Sequence, residues 1–216
     1  MRNVAVILSG CGVFDGAEIH ESVLTLLALQ ENQANYQCFA PDINQHHVIN
    51  HLTGEEMNES RSVLVESARI ARGNVKPVSE LDANDYDALI FPGGFGAAKN
   101  LSDFAFKGDA CQVEATTLNA AQSFVSAKKP IGFICIAPAM IPRIVGEPVN
   151  LTIGNDVETS AAIEAMGGKP VDCTVDNIVL DQAHKIVSTP AYMLAGSVSE
   201  AASGIRKLVA QILALI

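Results

Sequence analysis

The strongest constraint on this chain is an alternation. Short apolar runs, too short for ordinary helices, are separated by stretches whose apolar residues recur at helical spacing. Val4 to Leu8 reads as a buried parallel strand, and Ile19 to Leu29 as the helix after it. Tyr36 to Ala40 is a second strand, ended by Pro41-Asp42. Ser60 to Ala71 is a helix with Val63, Leu64, Ala68 and Ala71 along one side. Ala88 to Phe91 is a third strand, cut off by Pro92-Gly93-Gly94, and Val113 to Ala127 is a long helix. Ile131 to Ile134 is a fourth strand running directly into Cys135. Val171 to Val175, Ile178 to Leu180 and Lys185 to Ser188 read as later strands, with Asp181 to His184 a hairpin turn. Val198 to Ile216 is a closing amphipathic helix. Strands alternating with helices imply an α/β fold: one domain over residues 1–216, with a doubly wound, mostly parallel, flavodoxin-like sheet covered by helices on both faces. Only His46 to Glu59 fits poorly, as a hairpin or an inserted loop.

Composition supports this and removes several functions. With 49% apolar residues among 216, both faces of a sheet can be covered. Aromatics make up 5%, Trp is absent and the net charge is −10, which argues against nucleic acid and anionic membranes as partners. Five scattered cysteines without a CxxC pair signal neither a disulfide framework nor zinc. Met1-Arg2-Asn3 leads straight into an apolar strand, without the features of a signal peptide, so a cytoplasmic protein is expected.

In a doubly wound sheet, ligands bind where the carboxyl ends of the strands open. Three stretches are expected to converge there. Gly132-Phe133-Ile134-Cys135-Ile136-Ala137-Pro138 stops a strand at a cysteine and turns it into a helix, as a nucleophile elbow does. The helix beyond is expected to favour the Cys135 thiolate. Pro92-Gly93-Gly94 through Asn100 follows another strand and could offer bare N–H groups as an oxyanion hole, with Gly94 and Ile136 as donors. Gly16-Ala17-Glu18-Ile19-His20-Glu21 opens the first helix. Glu21, nearer the packed side than Glu18, is the candidate general acid/base for Cys135; Asp15 reads as a cap or turn residue. Gly10, Cys11, Gly93 and Asn100 complete the expected pocket, with Cys11 a candidate second thiol. His46, His47 and His51, with Glu55 nearby, lack a convincing metal spacing, and His184 falls in an exposed turn. No metal or cofactor is expected.

Together these stretches resemble the ThiJ/PfpI superfamily, which has the class I glutamine amidotransferase-like fold. The resemblance lies in Gly16 followed by Glu21, in Pro92-Gly93-Gly94 with Asn100-Leu101-Ser102, and in Ile134-Cys135-Ile136-Ala137-Pro138. Ile7 to Gly12, Asn50 to Gly54, Gly93 to Leu101 and Thr189-Pro190-Ala191-Tyr192-Met193 extend it, along essentially the whole chain, to the enhancing lycopene biosynthesis protein family. That resemblance implies a glutathione-independent glyoxalase acting on glyoxal, a small dicarbonyl, without a cofactor. It also implies a homodimer and a loose link to isoprenoid production. The alternative is a redox-responsive or interaction protein with incidental aldehyde activity. Amide hydrolysis and a glutaminase role have less support. Gly154 stands where many members of the superfamily carry a histidine, and no histidine lies between Cys135 and His184. A Cys-His-acid triad is therefore not expected, and a base must be Glu21, Asp156 or a residue from elsewhere.

Overall fold

A computed structural model describes residues 2–216. In chain order the strands are β1 (Asn3–Ile7), β2 (Asn35–Ala40), β3 (Val48–Ile49), β4 (Glu56–Met57), β5 (Val75–Pro77), β6 (Ala88–Phe91), β7 (Ile131–Ile134), β8 (Asn150–Leu151), β9 (Lys169–Pro170), β10 (Val179–Asp181) and β11 (Ile186–Thr189). The helices are α1 (Ile19–Glu31), α2 (Val63–Ile70), α3 (Phe95–Lys99), α4 (Phe104–Lys107), α5 (Ala115–Ser126), α6 (Ile141–Val145), α7 (Val157–Ala165) and α8 (Val198–Ala214). Among the described residues no helix is long and apolar enough to cross a membrane.

Seven strands form the sheet in the order β10-β11-β7-β6-β1-β2-β5. All neighbours run parallel except β10 and β11, which form an antiparallel hairpin across the expected Asp181–His184 turn. From β1 the chain winds outward to β2 and β5. It then crosses back to β6 and winds the other way, so the strand order reverses between β1 and β6. That reversal is the switch point of the sheet, where doubly wound folds place their ligand crevice.

The period-two alternation of β1 shows why both faces are dry. Ala5 and Ile7 join one core with Phe91, Phe124, Phe133 and Ile144, under α5 and α6. Val4 and Val6 join the other with Leu26, Leu29, Ile205 and Leu208, under α1 and α8. Phe91 and Phe133 stack with centroids 5.0 Å apart, tying β6 to β7 directly below the crevice.

Two expectations fail in the second half. Val171 to Val175 is not a strand. It lies outside the main sheet, where Val171 and Cys173 donate to the carbonyls of Leu151 and Gly154 before the chain turns at Thr174–Asn177. Asp156 is an N-cap, accepting from the Thr159 N–H at 2.8 Å at the start of α7, and has no place among candidate bases. The His46–Glu59 segment does contain the β3–β4 hairpin. Asp15, buried in the first loop, holds this hairpin by accepting from the Ile49 N–H at 2.7 Å.

Candidate functional site

Cys135 sits at the carboxyl end of β7 with φ +62°, a left-handed conformation costly for a side chain with a Cβ. Its N–H donates to the Thr189 carbonyl of β11 at 3.0 Å, so the neighbouring strand clamps the bend. The chain then makes a 3₁₀ turn, Ala137–Met140, and only the five residues of α6 come after it. Too few aligned peptides lie here for a strong helix dipole.

Glu21 reaches the same point from the first turn of α1 and is fully buried. Its Oε2 accepts from the Gly93 N–H at 3.0 Å and its Oε1 from the Tyr192 N–H at 3.1 Å. The Gly93 backbone threads between the acid and the thiol, where a Cβ would collide with both Cys135 Cβ and Glu21 Oε2. Gly94 turns the loop away at φ +95°, and its N–H and that of Ile136 lie on the side of the Cys135 sulfur, where they draw the thiol pKa down. The loops are stitched together by their main chains. Gly93 accepts from Glu18 N–H, Gly16 from Gly96 N–H, and Val13 from Phe95 N–H, all at 2.8–2.9 Å.

Burial, with Glu18 close by, pushes the Glu21 carboxyl up to about 8, against the pull of its N–H donors. Burial and the facing Glu21 push the Cys135 thiol up as well. Two buried acids side by side with no cation resist ionisation, so at neutral pH the pair mostly keeps both its protons. This corrects the expectation of a thiolate favoured by a helix N-terminus. The Gly94 and Ile136 N–H groups do favour the anion, but desolvation outweighs them.

Not every expected pocket residue faces the sulfur. Gly10 donates its N–H to Ser67 Oγ of α2 at 3.0 Å. Cys11 lines a separate cleft of about 570 Å³ with Ile19, Val23, Tyr36 and Arg69, between α1 and α2. Asn100 is a knot instead of a lining residue. Its Nδ2 donates to the carbonyls of Ser9 and Asp15 at 2.9 and 2.8 Å, and its Oδ1 accepts from the His46 N–H at 2.9 Å. Glu18 is the α1 N-cap, accepting from the Glu21 N–H at 2.7 Å. The histidines of the hairpin are engaged locally: His51 Nε2 accepts from the Phe14 N–H at 3.2 Å, and His46 packs on Phe106. At Gly154 a side chain would run into Leu194, which fills the space a histidine would need. Thr189 and Tyr192 hold the site through backbone groups, and no sequence pattern marks them for that role; their one visible signal is the Thr189–Met193 stretch that carries the family resemblance.

No family model matches the chain. The rat "ES1 protein homolog, mitochondrial" is 44% identical over 222 residues, covering 98% of this chain and 83% of the relative. The human "glutamine amidotransferase-like class 1 domain-containing protein 3, mitochondrial" is also 44% identical, covering 98% and 82%. A crystal structure described as an isoprenoid biosynthesis protein with an amidotransferase-like domain, from Ehrlichia chaffeensis, superposes with a TM-score of 0.93 at 39% identity over 100% of this chain and 99% of that one. A glyoxalase III from Candida albicans shares the fold at a TM-score of 0.64 and 16% identity, covering 100% and 97%. Both curated relatives are named mitochondrial, which overturns the expectation of a cytoplasmic protein.

Proposed function

The chain belongs to the ES1-type, glutamine amidotransferase-like class 1 family within the ThiJ/PfpI superfamily, and from that premise we propose that it is a glutathione-independent glyoxalase converting glyoxal to glycolate. The observation that carries the reading is the buried Cys135–Glu21 pair, with the Gly93 backbone threaded between the two groups.

In the form of the pair that has released one of its two protons to solvent, Cys135 sulfur adds to one carbonyl carbon, and the remaining proton passes to the new alkoxide. The product is a neutral hemithioacetal and a Glu21 carboxylate. The N–H groups of Gly94 and Ile136 serve in this scheme as the oxyanion hole, stabilising the developing alkoxide. Glu21 then removes the carbon-bound proton of the hemithioacetal, giving an enediolate, and returns it to the adjacent carbon while the hydroxyl proton crosses between the oxygens. An acid poised at about 8 suits both directions of transfer near neutral pH. The resulting glycolyl thioester is cleaved by water, releasing glycolate and the Cys135 thiol. No metal, nucleotide or second thiol enters the balance. Hydrolysis lacks a histidine base, so turnover is slow.

The test is the Cys135→Ala protein assayed on glyoxal without glutathione. Turnover is expected to fall by about three orders of magnitude or to background. Activity at the wild-type level would remove Cys135 from the reaction.

The proposed homodimer has a surface to use. Ile19, Val23 and Leu27 follow one another at helical spacing along the exposed side of α1, with Phe14 and Phe95 also exposed. Val23→Glu is expected to turn a dimer into a monomer in sedimentation; a wild-type chain that sediments as a monomer would end the proposal.

A further inference from the structure

Tyr192 is bound to the site twice. Its N–H donates to Glu21 Oε1 at 3.1 Å. Its phenolic oxygen lies 2.8 Å from Nδ1 of His20, the residue immediately before Glu21 on α1. The two rings meet at 44° with centroids 5.8 Å apart. The loop between Tyr192 and β11 is strained: Ala191 holds φ +42°, a region that residues with a Cβ avoid. Cys135 and Ala191 are thus unfavourable bends at the carboxyl ends of neighbouring strands, and both direct a group at one carboxyl. Strain of this kind persists only where surrounding contacts hold it. The turn is tied within itself by the Met193 N–H on the Pro190 carbonyl and by the Leu194 and Ala195 N–H groups on the Ala191 carbonyl, and the Tyr192 ring, held by His20, is its side-chain link to α1.

We infer that His20 and Tyr192 act together as positioning residues for Glu21: the His20–Tyr192 bond fastens the strained turn over the crevice, so that the Tyr192 N–H stays on Glu21 Oε1. Neither side chain touches the sulfur. The acidic groups facing the pair are Glu18, whose Oε1 is 4.0 Å from His20 Nδ1, and Glu21 itself. Both also hold the Tyr192 phenol in its neutral form, together with burial, so the hydroxyl keeps a proton to share with His20. An N–H aimed at a carboxylate stabilises the charged form. Loosening the turn withdraws that donor, and the carboxyl holds its proton to higher pH.

The inference rests on Glu21 as the proton-carrying group of the proposed reaction, and its test does not depend on turnover. The protonated carboxyl of Glu21 has its own C=O stretch, assigned by difference from Glu21→Gln and followed against pH by isotope-edited infrared spectroscopy. In Tyr192→Phe and in His20→Leu its titration midpoint is expected to rise by about half a unit or more. His20→Asn, whose amide can occupy the place of Nδ1, is expected to bring it back towards wild type. A midpoint unmoved in both Tyr192→Phe and His20→Leu, with thermal unfolding unchanged, would overturn the inference. Glyoxal assays on the same proteins keep the two readings apart: an inactive wild type defeats the glyoxalase reading, while the infrared midpoint still reports on the positioning role.

Discussion

The two ends of strand β11 hold two ionisable pairs of opposite design. Just before the strand, His184 Nδ1 meets Asp181 Oδ1 at 2.9 Å, with Glu147 on its other side at 3.4 Å. At its far end, Thr189 and, three residues beyond it, Tyr192 hold Cys135 and Glu21. In the first pair the charges are opposite and the imidazole is partly open to solvent. The acid shifts down, helped by the Asn150 and His184 N–H groups against its burial, and the base shifts up, drawn by both carboxylates against its own desolvation. In the second, two acids face each other out of solvent and both shift up. The first pair steadies the fold and the second burdens it. A chain that removes a proton-binding acid from water without a cation beside it gains a proton held ready for use, and loses stability wherever that proton would otherwise leave.

The contrast can be broken most directly at Glu21. Glu21→Gln keeps the size of the side chain and removes its proton chemistry, and is expected to lower glyoxal turnover by about a hundredfold or more. Retained turnover in a steady-state assay would show that the buried acid is not the shuttle.

A second consequence of the same change is in stability. Glu21 has a folded pKa of about 8, above its ordinary value, so between the two the folded chain binds more protons than the unfolded one. Stability therefore declines as pH rises through that window. Denaturant unfolding at a series of pH values is expected to show this decline in wild type and a flatter profile in Glu21→Gln. A steeper profile in the variant would reverse that sign.

His184 slopes the same way from the opposite cause, a charge gained instead of a charge withheld, and its effect is the smallest. Its folded pKa is raised, so its contribution is complete below its unfolded value and fades as pH rises through the folded one. His184→Asn is expected to cost about 0.5 kcal/mol at acid pH and less at alkaline pH, a small figure because solvent reaches the ring and screens the pair. A loss larger at alkaline pH would mean that packing, not charge, is what His184 contributes.

Legibility in the sequence divides along similar lines. The strands of the main sheet are readable because burial on both faces demands apolar runs, as in Val4 to Leu8 and Ile131 to Ile134. Helix α7 is not, because Ile163 is its one buried residue and Val157 is exposed, so no apolar stripe forms. Val171 to Val175 misleads because alternation also occurs in a surface segment with no main-sheet strand beside it. At the site, Glu21 and Gly93 are legible: a carboxyl opening a helix and a glycine ending a strand are signals of residue type. The contributions of Thr189 and Tyr192 are main-chain groups, which nearly any residue possesses. The proton affinity of Cys135 depends on what lies across from it, and spacing along the chain does not record that. Asn100 looks like a pocket residue because its loop enters the crevice, whereas the direction of its amide is set by three backbone groups brought in by other segments.

The packing at Gly154 bears on how such a site can change over generations. Leu194 occupies the volume that a side chain there would need. A histidine introduced alone would collide with it, and a smaller residue at 194 introduced alone would leave a hole in the wall of the protein. A route from this two-residue centre to a three-residue one thus passes through an intermediate worse than either end.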